Sequence, residues 1–288
     1  MTKELFYEYA LEKAKGEFGS DYTIKAEIIP HSDMPYFGLV INKDGGDPAP
    51  IVNLDQLYKV SRQGETAEET LDNAFRYFKS LKPLDVDVSM LDDYRNVKQK
   101  LFIKVTSAVQ SREMLEKVPH RNVCDLAITY HVLISNVRGE IRSCMVTNEW
   151  MGRFGIGEEQ LHEDAVTGSM AQFPPTIRSL ASTIGADDPG DDGLYVVSNR
   201  AFTFGAAALF YPGMLDTVKK KVGSNYYVLP SSKHEMLVMK KKKGSDPNEY
   251  AKMVREINRT QVAPEDRLSD HVYYCHVKKG ERLIDIVA

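Results

Sequence analysis

The sequence predicts an α+β protein with mixed, mainly antiparallel sheets covered by helices. Short apolar, β-branched runs alternate with amphipathic segments along the whole chain. From Leu194 onward the pattern reads β-α-β-β-α-β-β. No fixed-period repeat occurs, which argues against solenoids and propellers. We expect two lobes, 1–82 and 83–288, and a further boundary inside the larger lobe could fall at the acidic loop 186–193.

In the N-terminal lobe, two strands are predicted to pack against helices. The amphipathic pattern of residues 2–18 predicts a first helix that ends at Gly19. Thr66 and Glu69 form a capping box, so another helix begins there. The remaining elements are strands at 23–29 and 36–42 and a short helix that ends at residue 60.

The middle of the chain alternates between strand and helix patterns. Trp150 is the only tryptophan, and we expect it to anchor the core because large aromatic side chains dominate burial. β-branched and apolar runs predict strands at 100–107, 124–135 and 139–147. Helical spacing predicts helices at 88–97, 158–166 and 175–184.

The C-terminal part of the chain has the clearest signals for where helices begin and end. Small residues at 205–208 predict a helix packed closely on a sheet, with Asn199 or Thr203 as its cap. Pro212-Gly213 must end this helix. The segment Asp246–Glu249 combines a cap, a first-turn proline and an acidic third position, so a helix begins there. Strands are predicted at 194–197, 225–229, 235–240, 271–277 and 282–287, and a further helix at 214–222.

Composition limits the classes of function. With 288 residues, 42% of them hydrophobic, the chain is long enough to bury a substantial core. Its formal net charge of −4 argues against a dedicated nucleic-acid binder. No apolar run approaches the roughly 20 residues of a membrane-spanning helix, and the N-terminus lacks a signal-peptide core. We therefore expect a cytoplasmic protein that does not enter a membrane.

The three cysteines do not form a disulfide or metal pattern. Cys124, Cys144 and Cys275 are widely spaced, and we expect buried, reduced thiols. The sequence also lacks a glycine-rich phosphate loop and any short zinc-binding spacing. We therefore expect no cofactor and no metal.

Five groups of segments carry a resemblance to a known family. They are 50–58; 118–121 with 125–127; 199–200 with 205–207 and 211–213; 229–232 with 234–235; and 254–260. These segments resemble an uncharacterised bacterial family known only as a domain of unknown function. The chain is similar, more distantly, to the YtpQ-like proteins, which are also uncharacterised. The resemblance implies one continuous fold from about residue 20 to the end and brings no activity with it.

The first candidate site lies between two predicted strands. A hydroxyl, a histidine and a carboxylate are the groups that serve as nucleophile, base and orienting group in nucleophilic catalysis. His234, together with Ser231, Ser232 or Glu235, is therefore the catalytic candidate for a hydrolase or transferase. The sequence lacks a Gly-x-Ser-x-Gly elbow, so we favour the alternative of a hydrogen-bonded turn.

The second candidate site joins two pairs of residues at element ends. Asn199 and Arg200 precede a predicted helix, and Asn258 and Arg259 close another. An arginine beside a helix N-terminus is a general anion site. If these groups converge with His234, they would bind a phosphate, a carboxylate or a partner's acidic motif. Capping and hydrogen bonds between elements are the alternative, which we favour.

The third candidate site is the segment 118–125. His120 and Arg121 are candidates for ligand binding, and Cys124 and Asp125 follow them. Their spacing does not fit a zinc site, and a buried, hydrogen-bonded histidine is the more common outcome for His131.

The fourth candidate is a pair of lysine runs, Lys219–Lys221 and Lys240–Lys243. They could contact phosphate backbones. We favour the alternative of a solvated helix end and a strand edge protected from aggregation.

Three functional hypotheses follow. We favour a non-catalytic cytoplasmic binding protein, which acts on another protein or a small anionic ligand. A hydrolase or transferase that uses His234 is the second hypothesis. A nucleic-acid-associated protein that uses the lysine runs is the third.

Overall fold

The structure is a computed structural model of the chain. It describes residues 1–29, 36–43, 51–80, 91, 93–137, 140–185, 193–278 and 281–288, and the side chains of residues 137, 140, 231, 277, 278 and 281–283 lie outside this description. The chain divides into two compact units, 1–87 and 88–288. The expected lobe boundary after residue 82 lies outside the described residues, and so do residues 186–192 of the predicted acidic loop.

The first unit packs helices on one small sheet. Its antiparallel strands have the order β1-β2-β3. Leu39 and Ile41 of β2 are fully buried against Phe6, Leu71 and Phe75 from the helices. The strands are β1 (Tyr22–Ile29), β2 (Tyr36–Lys43) and β3 (Val52–Asn53), and the helices are α1 (Lys3–Phe18), α2 (Leu54–Ser61) and α3 (Ala67–Ser80).

The predicted capping box at the start of α3 is confirmed. The N–H of Thr66 donates to Glu69 Oε2 at 3.0 Å, and the N–H of Glu69 donates to Thr66 Oγ1 at 3.2 Å. Two backbone donors that the helix leaves unpaired are thereby satisfied.

A four-stranded antiparallel sheet forms part of the second unit. The long strand β6 pairs with β4 along one edge and with β5 and β7 along the other. The strands are β4 (Leu101–Ser107), β5 (His120–Val123), β6 (Leu126–Val137) and β7 (Glu140–Met145). The helices of this part are α4 (Tyr94–Lys98), α5 (Arg112–Leu115), α6 (Asn148–Phe154) and α7 (Glu158–Gln172).

A six-stranded antiparallel sheet with the order β13-β12-β10-β11-β9-β8 completes the second unit. Its strands are β8 (Pro175–Ser179), β9 (Leu194–Asn199), β10 (Tyr226–Ser232), β11 (Glu235–Lys240), β12 (Tyr273–Lys278) and β13 (Glu281–Ile286). Its helices are α8 (Leu180–Ile184), a 3-10 helix (Gly205–Phe210), α9 (Met214–Val222) and α10 (Pro247–Thr260). The predicted α+β class and the β-α-β-β-α-β-β order are thus confirmed.

The two sheets share a core. Ile103 and Tyr130 of the smaller sheet pack in one buried cluster with Val197 and Val228 of the larger sheet. Alternate residues of β10 face the other way, where Tyr227 and Leu229 pack against helix α10. Trp150 is half-buried against the shared core.

The predicted helix over 175–184 was wrong for its first half. Residues Pro175–Ser179 form β8, which pairs with β9, and only Leu180–Ile184 are helical. The β-branched Thr176 and Ile177 favour an extended chain. Pro175 is tolerated because it is the first residue of a strand at the sheet edge, where a missing donor does little harm.

Candidate functional site

The turn between β10 and β11 uses the polar groups of the first candidate site for its own structure. Ser232 Oγ donates to Glu235 Oε1 at 3.1 Å and accepts the N–H of His234, also at 3.1 Å. The side chain of Ser231 lies outside the described structure. Ser232 and Glu235 therefore hold the turn closed.

The His234 ring lies against a phenyl ring and not against a hydroxyl. Its Nδ1 accepts the N–H of Phe204 at 3.4 Å, and the two rings stack 6.0 Å apart. Its Nε2 is 3.6 Å from Asp266 Oδ1, an oxygen that Lys233 Nζ also approaches at 2.8 Å. Among the described residues no hydroxyl is hydrogen-bonded to this imidazole, so it has no nucleophile to activate.

Asn199 holds the loop that follows β9. Its Oδ1 accepts the N–H groups of Ala201 at 3.0 Å and Thr203 at 3.4 Å, and its Nδ2 donates to the Thr203 carbonyl at 2.7 Å. The loop places Phe202 and Phe204 at φ values of 51° and 54°, which L-residues rarely adopt. Asn199 thus caps a loop and not the helix that the sequence predicts.

The remaining residues of the second candidate site do not converge on His234. Arg200 is exposed, and its N–H donates to the Pro174 carbonyl at 3.1 Å. Arg259 pairs with Glu256, one turn earlier on the same helix, at 2.8 Å. Neither guanidinium contacts the His234 turn within the described part of the chain.

Asn258 is buried against the segment that precedes β12. Its Nδ2 donates to the Ser269 carbonyl at 2.9 Å and to Asp270 Oδ1 at 2.7 Å, while its Oδ1 has no partner among the described residues. This amide fixes the extended segment that runs into β12.

Asp125 gathers the polar side chains of that segment. Its Oδ2 accepts Ser269 Oγ at 2.6 Å and His271 Nδ1 at 2.9 Å, and its Oδ1 accepts the hydroxyl of Tyr273 at 2.7 Å. Burial acts to raise the pKa of Asp125, but these hydrogen bonds outweigh it and lower the pKa below its ordinary value. The carboxylate is therefore held ionised.

A cleft of about 640 Å³ lies directly beside Asp125. On β5, His120 and Asn122 line it, and Cys124 follows them in the turn, because alternate residues of a strand face the same side. Its remaining lining comes from α5 and the residues next to it, and consists of Ala108, Val109, Arg112, Leu115 and Glu116.

Arg121 faces the opposite side of the sheet from this cleft. Its guanidinium pairs with Glu159 at the start of α7. The structure thus separates His120 from Arg121, although the two are neighbours in the sequence.

Two opposite charges line the cleft without pairing. Arg112 and Glu116 are four residues apart, and neither side chain has a hydrogen-bond or ion-pair partner among the described residues. The Val118 carbonyl lies 3.0 Å from His120 Nδ1. Since a carbonyl only accepts, Nδ1 is the donor of this hydrogen bond.

Cys124 is a protonated thiol at the rim of the cleft. Burial raises its pKa, and the neighbouring carboxylate of Asp125 raises it further. Its Sγ donates to the Ile284 carbonyl at 3.5 Å. The three cysteines are free, and Cys275 is buried as expected. The expectation is wrong for Cys124, which is exposed because it occupies a surface hairpin turn, and Cys144 is only half-buried.

The partners of Asp125 follow a sequence pattern that the four candidate sites did not include. Ser269, His271 and Tyr273 alternate with a period of two, which places their side chains on one side of an extended chain. Arg112 and Glu116 carried no comparable signal, because a charged pair four residues apart is common on solvated helices.

The chain belongs to DUF5688, a family of unknown function. The family model matches residues 3–276, which confirms the resemblance to an uncharacterised family. No curated protein and no solved structure matches the chain. Among the described residues, no helix has the length and apolar character to cross a membrane, and no group of three or more His, Cys, Asp and Glu side chains is placed to hold a metal ion.

Proposed function

We propose that this member of DUF5688 is a non-catalytic binding protein that holds an extended segment of a partner protein in the cleft beside β5. The observation that carries the proposal is an edge strand that borders a cleft with unpaired charges. Main-chain hydrogen bonds to such an edge give affinity, and side-chain pockets give specificity. Its free cysteines favour a reducing compartment such as the cytoplasm.

The backbone of β5 offers hydrogen bonds on its outer side. Cys124 and Asp125 form a two-residue turn, so Val123 and Leu126 are the closing pair of the hairpin. Along an antiparallel ladder, hydrogen-bonded residue pairs alternate with pairs that are not hydrogen-bonded to each other. The closing pair is hydrogen-bonded, so Asn122 belongs to a pair of the second kind, and its N–H and C=O groups point away from β6. A partner strand laid along this edge would bond to them.

The lining of the cleft favours a segment with both signs of charge. Arg112 can pair with an acidic side chain of the segment, and Glu116 with a basic one. Val109 lies in the same lining and is 74% exposed, which provides an apolar contact.

Binding is favoured over catalysis because Asp125, Cys124 and His234 are not placed to react. Asp125 accepts hydrogen bonds from three side chains, and Cys124 stays protonated. His234 lies beside Phe204, without a nucleophile among the described residues.

The test is peptide binding by the whole chain. Short extended peptides with alternating Glu and Lys are measured by fluorescence anisotropy against the native protein and two variants of Asn122. Asn122→Pro removes the outward N–H, which an edge strand tolerates, and we expect binding about tenfold weaker. Asn122→Ala keeps the N–H and should bind nearly as the native protein does. Equal binding by both variants, or none by the native protein, would refute the proposal.

A charge exchange sharpens the test. The double variant Arg112→Glu/Glu116→Arg keeps the net charge and reverses the order of the two signs along α5. We expect it to prefer peptides with the reversed order of acidic and basic residues. If the double variant keeps the native preference among these peptides, Arg112 and Glu116 do not pair with the charges of the bound segment.

A further inference from the structure

The two lysine runs, far apart in the sequence, meet at one end of the six-stranded sheet. Lys219–Lys221 form the last turn of α9, and Lys240–Lys243 begin at the last residue of β11. Lys240 Nζ lies 4.0 Å from the position that a Cβ would take on Gly223. The N–H of Lys241 donates to the Asn225 carbonyl at 3.0 Å. The two runs therefore form one surface, which we call the lysine patch.

Most charges of the lysine patch have no counter-ion in the described structure. Lys219, Lys220, Lys221 and Lys243 make no ion pair among the described residues, whereas Lys240 and Lys242 have interactions of their own. Lys241 Nζ donates to the Tyr274 hydroxyl at 3.2 Å. Of these four lysines, Lys220, Lys221 and Lys243 are exposed and available to a ligand, and Lys219 is half-buried.

Each run alone has a structural explanation, but their proximity does not. Lysines in the last turn of a helix complement its dipole, and lysines at a strand end discourage edge-to-edge association. Neither role requires the two runs to be adjacent. Like charges brought together repel one another, and a bound polyanion would relieve that repulsion.

We propose that the lysine patch binds the phosphate backbone of a nucleic acid without reading its sequence. The charges are spread over two elements on an open surface, which suits a chain of phosphates better than a single anion. Met214, Val218 and Val222 of α9 are buried and Leu215 packs half-buried against the core, so the helix offers no apolar face to a lipid surface. The negative net charge of the whole chain does not conflict with the proposal, because a local group of lysines attracts phosphates at short range.

The experiment measures fluorescence anisotropy of labelled DNA duplexes and RNA strands with the whole protein over a salt series. The variant Lys220→Glu/Lys243→Glu is compared with Lys25→Glu/Lys59→Glu, which makes the same change of charge at exposed lysines in the first unit. We expect binding at low salt that weakens as salt rises. The patch variant should bind at least about tenfold more weakly, with a salt slope lower by about two, because two phosphate contacts are lost.

Three outcomes would overturn the proposal. The native protein does not bind oligonucleotides at low salt; the control variant loses as much affinity as the patch variant; or vesicles of anionic phospholipid bind while oligonucleotides do not. The result does not depend on the peptide cleft, since neither lysine run lines it.

Discussion

The His234 turn and the Asp125 cluster are built from the same local motif. In both, a serine stands two residues before a histidine and accepts that histidine's N–H, at 3.1 Å for Ser232 and 3.0 Å for Ser269. Each histidine also approaches an aspartate through a ring nitrogen. The motif is a local turn that positions a hydroxyl and an imidazole.

The surroundings of the two motifs differ. Ser232 donates to Glu235 within its own turn, and His234 stacks on Phe204. Ser269 and His271 both donate to Asp125, which lines an open cleft. The same local motif therefore closes a turn in one region and supports the wall of a cleft in the other. The difference lies in the partner of the serine, which is the local Glu235 in the first region and the distant Asp125 in the second.

The largest expected effect tests how tightly the His234 region is packed. A Cβ on Gly205 would lie 2.1 Å from Ser198 Oγ, 2.5 Å from the His234 carbonyl oxygen and 2.8 Å from the Asn199 nitrogen. Two of these are backbone atoms that cannot move aside. We expect Gly205→Ala to lower the free energy of unfolding by about 3 kcal/mol or more, measured by urea denaturation.

Gly152→Ala is the control for that variant. Gly152 lies in helix α6, and nothing lies within 4 Å of its Cβ position. Alanine there should stabilise the protein by up to about 1 kcal/mol. A loss under about 1 kcal/mol for Gly205→Ala would contradict the close packing of the loop on the β10–β11 turn.

The second prediction compares the two aspartates. Asp125→Asn leaves at least one of the three donors, such as the buried Tyr273 hydroxyl, poorly matched, and we expect a loss of about 2–3 kcal/mol. Asp266 is more exposed and pairs mainly with Lys233, so Asp266→Asn should lose less than about 1 kcal/mol. Equal losses in urea denaturation would show that the two clusters do not differ in energy.

The pH dependence of stability gives an independent check. The pKa of Asp125 is lower in the folded protein than its ordinary value of 3.8. Its contribution to stability is therefore fully present well above that value and is lost as the pH falls through it toward the folded pKa. Asp125→Asn should flatten the loss of stability in this acidic range, whereas unchanged acid sensitivity would contradict the role of its carboxylate.

The sequence predicts the fold best where local chemistry decides it. The capping box at Thr66 and the start of α10 at Asp246 depend on neighbouring residues, and both are confirmed. Strand β5 was missed because four residues, three of them polar, have no strand pattern of their own. It is extended because β6 pairs with it, which is a tertiary contact.

The candidate sites show the same difference between local and distant contacts. The turn at Ser232 and His234 could be predicted from the sequence because Ser232, His234 and Glu235 are close together in the chain. The contact of Ser269 with Asp125 spans 144 residues along the chain, so no spacing rule could pair them. Asp125 and His120 were among the candidates, but the unpaired Arg112 became notable only when the cleft was seen.

The smallest expected effect is a gain of stability at the rim of the cleft. Cys124 adopts a φ of 58°, a left-handed conformation that costs most L-residues about 1–2 kcal/mol. Cys124→Gly removes that strain and gives up only a long Sγ contact to Ile284, so we expect a net gain of about 0.5–1 kcal/mol. Cys144→Gly is the control, because Cys144 lies inside β7 and should lose about 1 kcal/mol. If Cys124→Gly is destabilising in urea denaturation, the thiol contributes more to the turn than its geometry indicates. The conclusion that the His234 region is tightly packed and the Asp125 region is open must then be revised.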